Sequence, residues 1–107
     1  MAKKSRALKG EEIEVKEKVK PSDIFTIAKF KGYEGANSLS LVQDWVRLKH
    51  HLYTEIFFSL FHKKWSLNNY ILGLTNLKKI DRPTKVVFYD EYDEALCQAL
   101  DEMLQLI

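Results

Sequence analysis

Three histidines (His50, His51, His62), one cysteine (Cys97) and an acidic run (Asp90, Glu91, Asp93, Glu94) are the residues through which this chain could do chemistry. A metal site needs ligands that converge on one ion. His51 and His62 lie eleven residues apart, about 16 Å along a single helix. The adjacent His50 and His51 would diverge by about 100° on that helix. No metal is expected from them. Cys97 follows Leu96 in an amphipathic pattern and reads as a small, partly buried filler. A Cys97–His nucleophile pair is the one catalytic arrangement left open. The acidic run sits where a helix N-terminus favours negative charge, which accounts for it without a cation. Gly10, Gly32, Gly35 and Gly73, the only glycines, form no phosphate-cradling loop. The expectation is a protein that is not an enzyme and takes no cofactor.

Binding has more support. Lys29, Lys31, Arg47, Lys49, His50, His51, Lys63 and Lys64 recur over three consecutive segments, interleaved with Tyr33, Tyr53 and Trp65. Lys3, Lys4, Arg6 and Lys9 add a basic arm at residues 1–10. Residues 1–20 carry seven Lys/Arg against four Glu, residues 21–80 eight against four, and residues 81–107 two against seven Asp/Glu. The net charges are therefore +3, +4 and −5, which sum to the +2 of the whole chain. A basic body with an acidic end suits a polyanion on one side only. An ordinary solvated surface would look the same in composition, and an aromatic-rich chain of this size also suits a protein partner.

The elements that must position these residues follow from periodicity. With 107 residues, the chain fits one domain, expected over 11–107 behind the arm. Residues 11–16 alternate as one edge strand. Ser22 or Asp23 can cap a helix that Gly32 stops. Ser40-Leu41-Val42-Gln43 matches a capping box, and no Gly or Pro interrupts the chain from there to His62. A long central helix is expected, with Leu41, Trp45, Leu48, Leu52 and Ile56 on its buried stripe, widened by Val42, Val46, Tyr53, Phe57 and Leu60. Ser66 could cap a short helix through Leu72, with a turn or short helix over Leu74–Ile80. Residues 84–89 read as a strand. Asp90 can cap a last helix whose seam is Tyr92, Leu96, Ala99, Met103 and Leu106, suited to docking on the body or on a second copy in a homodimer. The start of the chain shows no secretory signal, and the greasiest window, Leu52–Phe61, is too short to span a bilayer. A lone cysteine suits a reducing, cytoplasmic setting.

The middle of the chain, about residues 22–67, resembles the KilA-N domain, a DNA-binding module of phages, large DNA viruses and bacterial mobile elements. Ile27-Ala28-Lys29-Phe30-Lys31 is similar to the end of that family's first helix. Val42-Gln43-Asp44-Trp45-Val46-Arg47 looks like its apolar-polar-polar-Trp-apolar-Arg signature. Phe57-Phe58 falls where the family has an aromatic-led pair, although Ser59 replaces its Glu and His50-His51 its polar Asn/Thr segment. The resemblance implies an α+β fold with a helix-turn-helix-like centre and short flanking strands. It also implies DNA contact through Arg47, Lys49 and the Lys29/Lys31 pair, with Trp45 in the core. The sequence as a whole therefore predicts a mainly helical α+β domain that binds DNA, with His50, Lys63 and Lys64 completing the contact set. A protein-interaction module, as a homodimer or an inhibitor docked on a larger assembly, is the alternative.

Overall fold

Pro21 opens the first helix, α1 (Pro21–Phe30), because its missing N–H costs nothing in the first turn and its fixed φ already matches a helix. Lys20, rather than Ser22 or Asp23, is the N-cap residue. Asp23 accepts the Lys20 N–H at 3.2 Å. Gly32 ends the helix with φ +112°, a conformation that an L side chain resists. Tyr33 then folds back, and its hydroxyl donates to the Ala36 carbonyl. A Cβ on Gly35 would lie 2.4 Å from that hydroxyl, so this turn needs a glycine where the ring passes.

These details come from a computed structural model that describes residues 18–81 and 87–107. The expected basic arm, the strand over 11–16 and the first part of the strand over 84–89 lie outside the described residues.

Helix α2 (Leu39–His50) starts two residues earlier than its sequence pattern suggests. Ser38 takes the cap and accepts the Leu41 N–H at 3.4 Å. It also ends twelve residues before His62, and here the expectation of a long central helix fails. His51 adopts φ 60° and ψ 36° and closes the helix with its N–H on the Arg47 carbonyl, 3.1 Å away. Histidine is among the few non-glycine residues that enter this left-handed region with some frequency, so the helix stops without a Gly or Pro. The β-branched and aromatic run that follows then prefers an extended chain.

That run is strand β1 (Leu52–Ser59), which a loop returns into β2 (Lys64–Leu72). Strand β3 (Leu77–Lys79) follows. The sheet is antiparallel in the order β1-β2-β3, with Leu52 opposite Ile71, Ile56 opposite Leu67, and Tyr70 opposite Lys79. The short helix expected over Ser66–Leu72 is therefore a strand, and the segment Leu74–Ile80 contains another. Helix takes 41% and strand 25% of the described residues. The domain is α+β but not mainly helical, its three helices packing on a three-stranded antiparallel sheet. Beyond β3, Tyr89 makes a single antiparallel bridge to Trp65.

Helix α3 (Tyr92–Leu104) is capped by Glu91 rather than Asp90, with the Glu91 N–H on the Glu94 carboxylate at 3.4 Å. It runs through the middle of the molecule. Leu96, Cys97, Leu100, Met103 and Leu104 meet Ile24, Ala28, Val42, Val46 and Leu52 in the main core. Ala95 and Ala99 lie against Leu67 of the sheet. Small side chains at these two positions let the helix come close enough for Asn69 to reach the Ala99 carbonyl at 3.4 Å. The expected narrow seam is thus a helix buried on two sides, with Tyr92 and Leu106 exposed.

All three helices share the core on one face of the sheet. Leu52, Thr54, Ile56, Leu67 and Asn69 point into that face. The alternate residues Tyr53, Glu55, Tyr70 and Lys79 stand on the other face, which no described helix covers. No helix among the described residues is long and apolar enough to cross a membrane.

Candidate nucleic-acid interface

The fold separates the basic residues that the sequence groups together. Lys63 sits in the β1–β2 turn at φ 55°, and Lys64 is the first residue of β2. Arg47, Lys49 and His50 occupy the last turn of α2, at the opposite end of β1. The seven residue steps of β1 put about 23 Å between these two ends. Lys64 is engaged by Asp90, Arg47 by Asp44 at 3.1 Å, and Lys31 donates to the Ile107 carbonyl at 2.8 Å. Lys29, Lys49 and Lys63 are exposed and make no ion pair among the described residues.

His50 is a part of the framework more than of any surface. Its ring meets Trp45 edge-on at 4.9 Å, and Trp45 in turn meets Tyr33 at 5.5 Å. The His50 Nε2 is enclosed and has no hydrogen-bond partner among the described residues. Burial first, then Lys49 and His51, holds its pKa below the ordinary value. The unfolded chain, with an imidazole near the usual pKa of about 6.5, therefore takes up the proton first. Stability from this site is complete above that value and is lost as pH falls from there towards the lower folded pKa. The melting temperature should drop between about pH 7 and pH 5. His50→Gln should flatten that step relative to the wild type in calorimetric scans across the same range.

Cys97 and the acidic run are otherwise occupied. Cys97 is enclosed in the main core, and burial pushes its thiol up to about 11. It stays protonated near neutrality and is a poor nucleophile. Glu94 accepts from Lys18 at 2.8 Å, which lowers its pKa, and Asp90 is held low by Lys64. These pairs and the Glu91 cap engage Asp90, Glu91 and Glu94, and Asp93 lies in the first turn of α3. Among the described residues, no three His, Cys, Asp or Glu side chains gather closely enough to hold a metal ion.

What the sheet brings together is a set the sequence does not group. Tyr53, Tyr70 and Lys79 form one cross-strand rung on the uncovered face. The two tyrosine rings lie with centroids 6.0 Å apart and planes tilted by 39°. The Tyr70 hydroxyl donates to Glu55 at 3.0 Å, which raises its pKa and fixes its ring. Lys78, opposite Ile71, stands at the same end of the sheet. The α2 terminus with Lys49 arrives there too, because the Leu72 N–H bonds the His51 carbonyl at 2.8 Å. Lys78 and Lys79 are exposed and make no ion pair among the described residues. Tyr53 alone of this rung belongs to the sequence-derived aromatic set. The signal for the others was the alternation through Leu67, Asn69 and Ile71, which a helical assignment hides.

No family model matches the chain, and no curated protein or solved structure matches it.

Proposed function

We propose that this protein binds single-stranded nucleic acid, in the cytoplasm, across the uncovered face of its sheet. The observation that carries this reading is the rung of two adjacent tyrosines ending on Lys79. Aromatic rings on an open sheet give unpaired bases a stacking surface, worth about 1–3 kcal/mol per base, and a flanking ammonium meets the phosphate. Lys49 extends the positive charge at the same end, whereas Lys78, in line with Ile71 and Leu52, belongs to the other face. Glu55 repels a phosphate, so the backbone runs on the lysine side while the bases lie over Tyr53 and Tyr70. The reading keeps nucleic acid as the partner and moves the contact away from Lys31, Arg47 and Lys64, whose charges are already engaged within the fold.

A fluorescence-anisotropy titration with a labelled single strand, repeated over a salt series, tests it. Neutralising two phosphates, at Lys79 and Lys49, gives a log–log slope of about −1.4 for a single strand. Single strands should bind more tightly than duplex of the same length, because bases inside a duplex offer no free face. Absence of binding at low salt and micromolar protein, or equal affinity for duplex, sinks the sheet-face reading.

A further inference from the structure

Given the single-strand reading above, on which this rests, we propose that the sheet face selects guanine, with Glu55 accepting the Watson–Crick edge of a guanine stacked on Tyr53 or Tyr70. Glu55 lies two residues from Tyr53 on the same side of β1, about 7 Å away. Asn68 stands directly opposite it on β2. Glu55 is exposed. The Tyr70 hydroxyl donates to its Oε1 at 3.0 Å, which brings the carboxylate to the tip of a stacking ring. Its Oε2 accepts no hydrogen bond among the described residues.

A carboxylate here opposes phosphate, and what it offers a single strand is a hydrogen-bond acceptor for a base. An ionised carboxylate accepts hydrogen bonds and donates none, with about four lone-pair sites. Tyr70 uses one of these. Two parallel N–H donors on one edge suit the rest, because paired, charge-assisted hydrogen bonds are short and strong. Guanine alone among the bases presents them, N1–H beside the N2 amino group. Adenine sets a lone pair at N1 beside its single amino group, and cytosine does the same at N3. The N3–H of thymine or uracil is flanked by two carbonyls, which repel the carboxylate. The Asn68 amide beside Glu55 can donate to the guanine O6, the third group of that edge. Orientation agrees with this. With the sugar–phosphate chain on the Lys79 side, a base lying over Tyr70 and Tyr53 turns its Watson–Crick edge away from Lys79 and towards β1, the strand that carries Glu55.

Fluorescence anisotropy on the full chain with four short single strands tests the proposal. One is oligothymidylate, and the others have the same two separated thymines changed to guanine, adenine or hypoxanthine. The guanine strand should bind at least about tenfold more tightly than the adenine strand, the discrimination that one bidentate base contact supplies. Both are purines, so stacking is matched. Hypoxanthine keeps N1–H and lacks the amino group, and its strand should fall between them. Glu55→Gln, at an exposed position, should melt as the wild type does. It should bring the guanine strand to within about threefold of the adenine strand, while binding oligothymidylate slightly tighter. Because glutamine keeps an acceptor for the Tyr70 hydroxyl, a residue that only orients that ring would leave the guanine preference intact in this variant, and that result overturns the proposal. Equal wild-type affinity for the guanine and adenine strands also overturns it, and leaves the tyrosine platform standing. Absence of binding to all four strands overturns the platform and the guanine preference together.

Discussion

Replacing Leu100 by alanine should remove about 2–5 kcal/mol of stability, a large share of the roughly 5–15 kcal/mol that holds a domain of this kind together. Leu100 has no exposed surface and stands in the cluster that joins α3 to α1, α2 and the start of β1. Truncation loses the transfer free energy of the side chain. It also leaves a cavity that its neighbours cannot easily close, because they belong to different elements. Val42 and Val46 hang from α2, Ile24 and Ala28 from α1, and Leu52 from β1. None can move inward without dragging its element away from its own contacts. Urea denaturation followed by circular dichroism should show a midpoint far below the wild type with an unchanged slope. A midpoint that hardly moves would mean that α3 is not the central strut of the fold. Leu106→Ala serves as the comparison, since that residue is more than half exposed and its loss should shift stability by about 0.5 kcal/mol or less.

The contrast between Leu100 and Leu106 also shows how far the sequence could be read. The last helix was legible because its signals agree: acidic residues lead it, and apolar residues recur at helical spacing with no β-branched run among them. Its burial on two sides was not legible, because a 4-3 seam describes only one neighbour, whereas α3 has the sheet on one side and two helices on the other. The first helix and its glycine stop were legible from Pro21 and Gly32. The central segment was not. Leu41 through Leu60 can be drawn on a helix because apolar residues recur every third or fourth position, yet Leu52, Thr54 and Ile56 also fit an alternating strand. Two competing periods share the same residues, and the break between them is carried by His51 in a left-handed conformation rather than by a glycine or proline. One wrong extension then moves everything after it. Leu41 and Leu48 were assigned to the core beside Val42 and Val46, Trp45 was placed wholly inside, and Lys63 and Lys64 were grouped with Arg47 in one contact set. For the candidate site the consequence is larger still. A cross-strand rung such as Tyr53–Tyr70–Lys79 joins residues that are seventeen and nine positions apart, and no local pattern records which residue a strand will face.

The double variant Tyr53→Ala/Tyr70→Ala should lose binding to a single strand by about a hundredfold or more, taking two stacked bases at the low to middle part of 1–3 kcal/mol each. Folding should survive. Both rings stand on the uncovered face, and a cross-strand aromatic pair contributes only about 0.2–1 kcal/mol to a sheet. Equal melting temperatures with unequal affinities would therefore locate the loss at the surface and not in the core. Tyr70→Phe separates stacking from hydrogen bonding: it keeps the ring and removes only the bond to Glu55, so affinity should stay within a few-fold of wild type. Glu55→Gln should bind slightly tighter, since it keeps an acceptor for the Tyr70 hydroxyl and removes a charge that opposes phosphate. Lys79→Glu should weaken binding and flatten the salt dependence by about 0.7 or more, the value of one phosphate contact on a single strand. Lys63→Ala/Lys64→Ala, at the far end of β1, is the control and should change little. If that control loses as much affinity as the tyrosine pair, the nucleic acid runs along the β1–β2 turn and the sheet face is not its platform. If the tyrosine variant binds as the wild type does, stacking on this rung plays no part in recognition.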